Sequence, residues 1–431
     1  STVASRTDEV LDIPAMPPMT APTDQGEPTE VVGPTPETSK ADAVASKSPD
    51  EDETPPRRTF QADEDVIRSA EQFANTLARL GAKGGVLRIE SGADLELSTV
   101  EFQGAATWRI EAEPGARRPQ LRFRPPLFDA RTASTWTTLL DVQGGKLQLQ
   151  GLDLVVHGSN PQSMSRIAGV GLAAGAELVL SDCTVTVSGE ASNHALVAVP
   201  PGPTPIDSRQ PDAKGPAVVR VRDGFLRSIG DGFMAASNHH LDIELENALI
   251  ATDGSLLHAT GRTRSVRQTP SLTLKLARVS AIAKGGLVHL ESSPDEPELH
   301  IAEVQAESSV LSTGFDAGPL FRVDGRDSME GLRDRIRWSG DNVGYHQIIA
   351  YRRDEVAQTG VRPRIYDRAD WNNFVNRDES PVLEAQFLHK LRPSESAVSL
   401  NRADFRLSPQ SPLYRTGTDL KRIPNAPGPE L

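Results

Sequence analysis

Five stretches of this chain repeat one internal spacing of small or apolar residues closed by a glycine or its equivalent, and no other feature restricts the fold as much. In the first, KLQLQGLDLVVHG, the spacing is set by Leu147, Leu149, Leu152, Leu154, Val156 and Gly158. Leu178, Leu180, Cys183, Val185, Val187 and Gly189 repeat it. So do Val219, Val221, Gly224, Leu226, Ser228 and Gly230, then Ile243, Leu245, Ala248, Ile250, Thr252 and Gly254. Leu274, Leu276, Val279, Ala281, Ala283 and Gly285 complete the set. Within each unit the apolar positions alternate with period two, skip a residue, and resume alternating. That pattern describes two short strands joined by a corner that shifts the phase, so that both strands turn their apolar side chains the same way.

The second corner residue is Gly151, Asp182, Asp223, Asn247 and Arg278 in turn. Gly, Asp and Asn tolerate a left-handed backbone; Arg278 is the exception. A further apolar run follows each closing glycine, as in GFMAAS, LLHATG and GLVHLES, which makes three strands per unit. The anchors Leu147, Leu178, Val219, Ile243 and Leu274 lie 24 to 41 residues apart, the spacing of solenoid coils separated by loops of varying length. A β-sandwich would also supply short strands, but it has no reason to place glycine at one offset five times. The Pro-rich stretch over residues 200–216 reads as a projecting loop. Residues 299–314 resemble a sixth coil, with Leu299, Ile301 and Val304 at the first three offsets and a late Gly314 that predicts a bulge.

The flanks differ from the repeats. Residues 1–59 contain about ten prolines, no aromatic residue before Phe60 and an acidic run, SPDEDETPP, so they read as a disordered linker. Val66, Ile67, Ala70, Phe73, Ala74, Leu77 and Leu80 then fall at helical spacing ahead of Gly81, predicting an amphipathic helix that caps the solenoid. The expected division is a linker over 1–59, a capped all-β parallel solenoid over 60–325, and a C-terminal cap or extension over 326–431. The formal charge of −13 argues against a nucleic-acid partner. No apolar run approaches the ~20 residues that span a bilayer. Cys183, the sole cysteine, allows neither an internal disulfide nor a cysteine metal cluster and sits at an inward offset, as a small core residue.

These coils resemble a right-handed parallel β-helix of the pectate-lyase-like kind. More narrowly, the order of GGVLRIESGADLELSTVEFQG, WRIEAEPGARRPQLRFRPP, RIRWSGDNVGYHQIIAYR, RADWNNFV and NRADFRLSPQSPLYRTG resembles the β-helical region found behind serine/threonine kinase domains and a membrane segment in planctomycete proteins. The resemblance covers residues 60–425 and implies an extracytoplasmic module, with the Pro-rich segment as tether and DFRLSPQSPLYRTG closing the solenoid. Kinase chemistry does not come with it, because the chain has no Gly-rich loop with strand Lys, His-Arg-Asp or Asp-Phe-Gly element.

Three groups of residues are candidates for chemistry. Polygalacturonase-like hydrolysis needs paired carboxylates, of which Asp231 in SIGDGFMAA is the sole representative at its place in the motif. A lyase needs Ca²⁺ held by carboxylates and a basic residue, and Asp223, Asn247 and Arg278 align vertically at the corner, which their turn role also explains. His258 and His289 share an offset on the third strand, one above the other, and form a weak metal pair; the third member of their column is Met234, and no carboxylate shares it. Trp338, Tyr345, Tyr351, Tyr366 and Trp371 cluster late, either stacking on sugar rings or packing the C-terminal extension onto the last coils. The resulting expectation is a non-catalytic module that requires no cofactor and binds a glycan or a surface partner. A polysaccharide lyase or hydrolase, or an architectural spacer, is the alternative.

Overall fold

The computed structural model describes residues 66–123, 125, 136–158, 166–189, 194–200, 215–236, 240–261, 271–292, 299–314, 318–325, 335–348, 350–355, 362–375, 378–379, 386–389, 392 and 394–412. The expected linker, the projecting loop over 201–214, His239 and Tyr414 lie outside them. Among the described residues the chain forms a right-handed parallel β-helix of three sheets, with 11, 9 and 10 strands. Each coil contributes one strand to each sheet in turn, for example Lys146–Gln150, Asp153–Gly158 and Arg166–Leu172.

The repeated offsets become vertical columns. Trp108, Leu147, Leu178, Val219, Ile243, Leu274, Val304 and Trp338 are register partners along the first sheet, all facing inward and buried. Each such aliphatic side chain contributes about 1.5–3 kcal/mol on burial, enough to offset the backbone ordering of roughly one or two residues, so a strand depends on several inward positions together. The corner residues all take the left-handed backbone, with φ of 70° at Gly151, 51° at Asp182, 56° at Asp223, 49° at Asn247 and 55° at Arg278. Ser308 and Asn342 continue the series at 47° and 55°. Every one of these seven residues donates its N–H to the coil above, from Gly151 to the Ser181 carbonyl through Asn342 to that of Glu379. Arg278 adopts this backbone despite its Cβ, with its N–H satisfied by Glu307 of the next coil.

The closing glycines are explained by close approach. A Cβ on Gly254 would lie 2.8 Å from the carbonyl carbon of Gly230, and one on Gly285 would lie 2.6 Å from that of Gly254. Gly230, Gly254 and Gly285 thus stack on one another, as Gly189 does on Gly158, while Gly230 itself abuts the His194 backbone, and none of these approaches leaves room for a side chain.

The N-terminal cap is helix α1, Ala70–Leu80, started by Ser69, whose hydroxyl accepts from the Gln72 N–H, and anchored by buried Phe73. Val66 and Ile67, although in phase with that helix, pair instead with Arg88 and Ile89 and cover the edge of the first sheet. The coils also run past residue 325, since Ile336–Asp341, Gly344–His346 and Arg352–Glu355 add one strand to each sheet. The sixth coil is regular. Leu274 pairs with Val304 and Leu276 with Ala306, so Val304 is the true anchor and no bulge interrupts the strand. Leu299 and Ile301 imitate the pattern five residues early because Ala306 and Ser309, which hold the real offsets, are small and unremarkable in sequence.

Two elements finish the molecule in different places. Helix α2, Arg368–Phe374, seats the fully buried Trp371 over Phe321, Trp338 and Tyr351 at the C-terminal end of the stack. The DFRLSPQSPLYRTG stretch, expected to close that end, is described as far as residue 412, and its Phe405 lies along the second sheet instead. Phe405 packs edge-on to Phe225 at 6.0 Å, together with Leu249, Ile282, Val310, Leu400 and Phe387. Arg227 donates to the Val398 and Leu400 carbonyls, while Asp253 accepts from Ser396 and the Ala397 N–H and pairs with Lys284 at 2.9 Å.

Candidate functional site

On the third sheet the apolar side chains Leu257, Ala259, Val288, Leu290, Phe321 and Val323 face inward and are buried. The residues between them face outward, and here register creates a polar strip. Met234, His258, His289, Arg322 and Arg353 are successive partners in one column. Two residues further along each strand, on the same face, runs a second column of Thr260, Glu291, Asp324 and Glu355. A column of cations and imidazoles thus stands beside a column of acids over three coils.

The imidazoles are stacked, with centroids 4.3 Å apart and planes inclined by 13°. Each is tied to carboxylates from different coils. His258 meets Asp231 through Nδ1 at 2.9 Å and Glu291 through Nε2 at 3.1 Å, and His289 meets Asp324 through Nε2 at 2.8 Å. Asp231, the first residue after closing Gly230, is itself held by the Ser255 N–H at 2.7 Å. Arg322 pairs with Asp324 at 2.8 Å and reaches Glu355 at 3.5 Å, while Arg353 pairs with Glu355 at 2.8 Å.

Burial opposes a charge on the His258 ring, but the hydrogen bonds and negative charges of Asp231 and Glu291 outweigh it and push the pKa up to about 9. The bond to His258 in turn holds Glu291 below the usual carboxylate range. Burial would raise Asp324, yet its bonds to His289 and Arg322 prevail and lower it. The strip is therefore charged at neutral pH, with an imidazolium between two carboxylates. His258, His289 and Glu291 are also the one group among the described residues whose nitrogen and oxygen donors lie within 4.8 Å of one another in a set able to hold a metal ion.

The other candidates are placed as follows. Asp223, Asn247 and Arg278 do come together at the corner, where the Asn247 amide donates to Asp223 and Arg278 pairs with Glu246. Asp182, one coil below Asp223, is engaged by Arg118. The two acids of this column are neighbours, followed by an amide and a guanidinium, and the corner's ladder bonds account for the position of each residue. Trp338, Tyr345, Tyr351 and Trp371 are buried in the C-terminal aromatic cap, and Tyr366 is half-buried under the Arg352 guanidinium at 3.8 Å. Within that cap the Tyr345 hydroxyl donates to Asp378, Arg368 pairs with Asp378 at 3.1 Å, and Arg368 lies over both tyrosine rings. Packing of the extension accounts for these rings, since a buried face cannot stack on a sugar. Cys183 is in the core, where burial pushes its thiol up to about 11. His240 is exposed.

Sequence reasoning paired the two histidines but missed Glu291, Arg322, Asp324, Arg353 and Glu355. A signal was present: His-x-Glu, Arg-x-Asp and Arg-x-Glu recur on successive third strands. Misplacing the sixth coil hid their common phase. The carboxylates were also sought in the histidine column, whereas they stand in the next column and, for Asp231, at the preceding turn. Neither a family model nor a curated protein matches the chain.

Proposed function

We propose that this β-helix is a non-catalytic binding module that presents the outward strip of its third sheet to a glycan or a surface partner. The observation that carries the reading is the double column itself. The half-exposed carboxylates of Glu291 and Glu355 and guanidinium groups of Arg322 and Arg353 recur there at the ~4.8 Å interval between neighbouring strands, a regular array of donors and acceptors suited to a polymer of hydroxyl and acidic groups. The residues most open to catalysis are instead committed to structure: Asp231 positions His258 and the next coil, and Asp223 and Asn247 hold the corner. An extracytoplasmic module tethered through its Pro-rich segment is part of this proposal, and its support is the resemblance of the motifs to pectate-lyase-like domains and to kinase-associated planctomycete regions.

The test is to incubate the chain with acidic and neutral polysaccharides, with and without Ca²⁺, measuring both retention on insoluble polymer and released product. Retention without product, weakened at least fivefold by a combined Arg322→Ala and Arg353→Ala change, is the expected result. Product whose release is lost on changing Asp231 or Asp223 would instead establish a lyase or hydrolase. Neither retention nor product would leave the architectural role.

A further inference from the structure

The stacked histidines and their carboxylates point to a second property, which does not depend on glycan binding. We propose that His258, His289 and Glu291 form a three-ligand site for a borderline divalent ion, with zinc the best match to two imidazoles and one carboxylate. The three contribute donor atoms within 4.8 Å of one another, from two adjacent coils whose register is fixed by the sheet. Bonds of about 2.0–2.2 Å require donors roughly 3–3.5 Å apart, and the His258 Nε2 to Glu291 distance is already 3.1 Å.

The surroundings supply what such a site needs beyond its ligands. Metal-binding histidines commonly give their second ring nitrogen to a carboxylate, which fixes the ring and makes the other nitrogen a better donor. Asp231 holds Nδ1 of His258 in this way and is itself pinned by the Ser255 N–H, so Nε2 is directed at Glu291. Asp324 engages Nε2 of His289, and Arg322 steadies Asp324. The site opens to solvent on the Glu291 side, where that side chain is 46% exposed, giving an ion a way in and an open position for water or a ligand oxygen.

Binding exchanges one set of contacts for another. A hydrogen between Nε2 of His258 and Glu291 leaves to solvent, and a nitrogen–metal and an oxygen–metal bond replace the hydrogen bond. The rings now lie nearly parallel, so their in-plane lone pairs cannot both meet one ion; coordination must turn the His289 ring out of the stack.

The experiment is titration of the chelator-treated full chain with Zn²⁺ by calorimetry and with Co²⁺ by visible absorption. One ion per chain is expected, together with a Co²⁺ band typical of nitrogen and oxygen donors. Glu291→Gln and His289→Ala should each weaken binding at least tenfold, while His157→Ala, at an exposed histidine on the second sheet, should not. Circular dichroism checks that each variant folds; because Glu291 is largely at the surface, Glu291→Gln carries the test if His289→Ala does not fold. Absence of saturable binding, or binding unchanged in Glu291→Gln, overturns the assignment and leaves the cluster as a hydrogen-bonded pillar.

Discussion

Two charged ladders climb this β-helix, and they are built from similar parts. On the first sheet Glu177, Arg220, Glu244 and Lys275 alternate in sign, with Arg220 to Glu244 and Lys275 to Glu244 both at 3.0 Å. On the third sheet His258 and His289 meet Asp231, Glu291 and Asp324 at similar distances. Exposure separates the centres of the two ladders. Arg220, Glu244 and Lys275 are 42–49% exposed, with Glu177 at 24%, whereas His258, His289, Asp231 and Asp324 are 12–20% exposed and Glu291 forms the open rim at 46%. Water screens the first ladder and leaves each pair worth little. In the second, the same bonds compensate groups already withdrawn from water, so removing one partner strands the other. A ladder of paired charges is thus a solvated face in one place and a tuned site in another.

The sharpest way to break this comparison is to delete one acid from each ladder. Asp231→Ala should cost about 3 kcal/mol, because it strands His258 and the Ser255 N–H, whereas Glu244→Gln should cost under about 1 kcal/mol. Urea unfolding of both variants measures the difference; equal costs would mean that burial does not distinguish the ladders.

A pH series should give the next largest effect. His258 has its pKa raised from an ordinary 6.5 to about 9 in the folded chain, so protonation favours the fold. Its contribution is fully present below pH 6.5 and is lost as the pH rises through about 9, amounting to about 2 kcal/mol by pH 8.5. Glu291 and Asp324 are lowered instead, so their contribution is present above the ordinary carboxylate range and lost as the pH falls below it. Wild type minus His258→Gln should therefore show a decline toward alkaline pH, and a flat difference would contradict the imidazolium assignment.

The smallest effect is screening. In 1 M salt the cost of Glu244→Gln should fall toward zero, while that of Asp231→Ala should change by less than about 0.5 kcal/mol, since partly buried pairs are screened far less.

Much of the fold was legible because each coil repeats a local pattern. Period-two alternation and the stacked glycines are properties of consecutive residues, and the left-handed corner declares itself through Gly151, Asp182, Asp223 and Asn247. Register failed where small residues replaced large ones, at Ala306 and Ser309, and with it went the alignment of Arg322 and Asp324. Of the site, the stacking of His258 on His289 followed from equal offsets. Their carboxylates did not, because Asp231 enters from the turn of the coil below and Glu291 from a neighbouring column.

The sequence by itself determined the coil, since one repeated spacing admits one way of burying its apolar face. Tertiary structure decided what the outer surfaces do: that the late aromatics fill the end of the stack, that Phe405 lies along the second sheet, and that two histidines sit among three acids. Those contacts join residues from different coils across loops of unequal length. Only the stacking of the coils, driven by the buried columns within, sets the phase at which they meet.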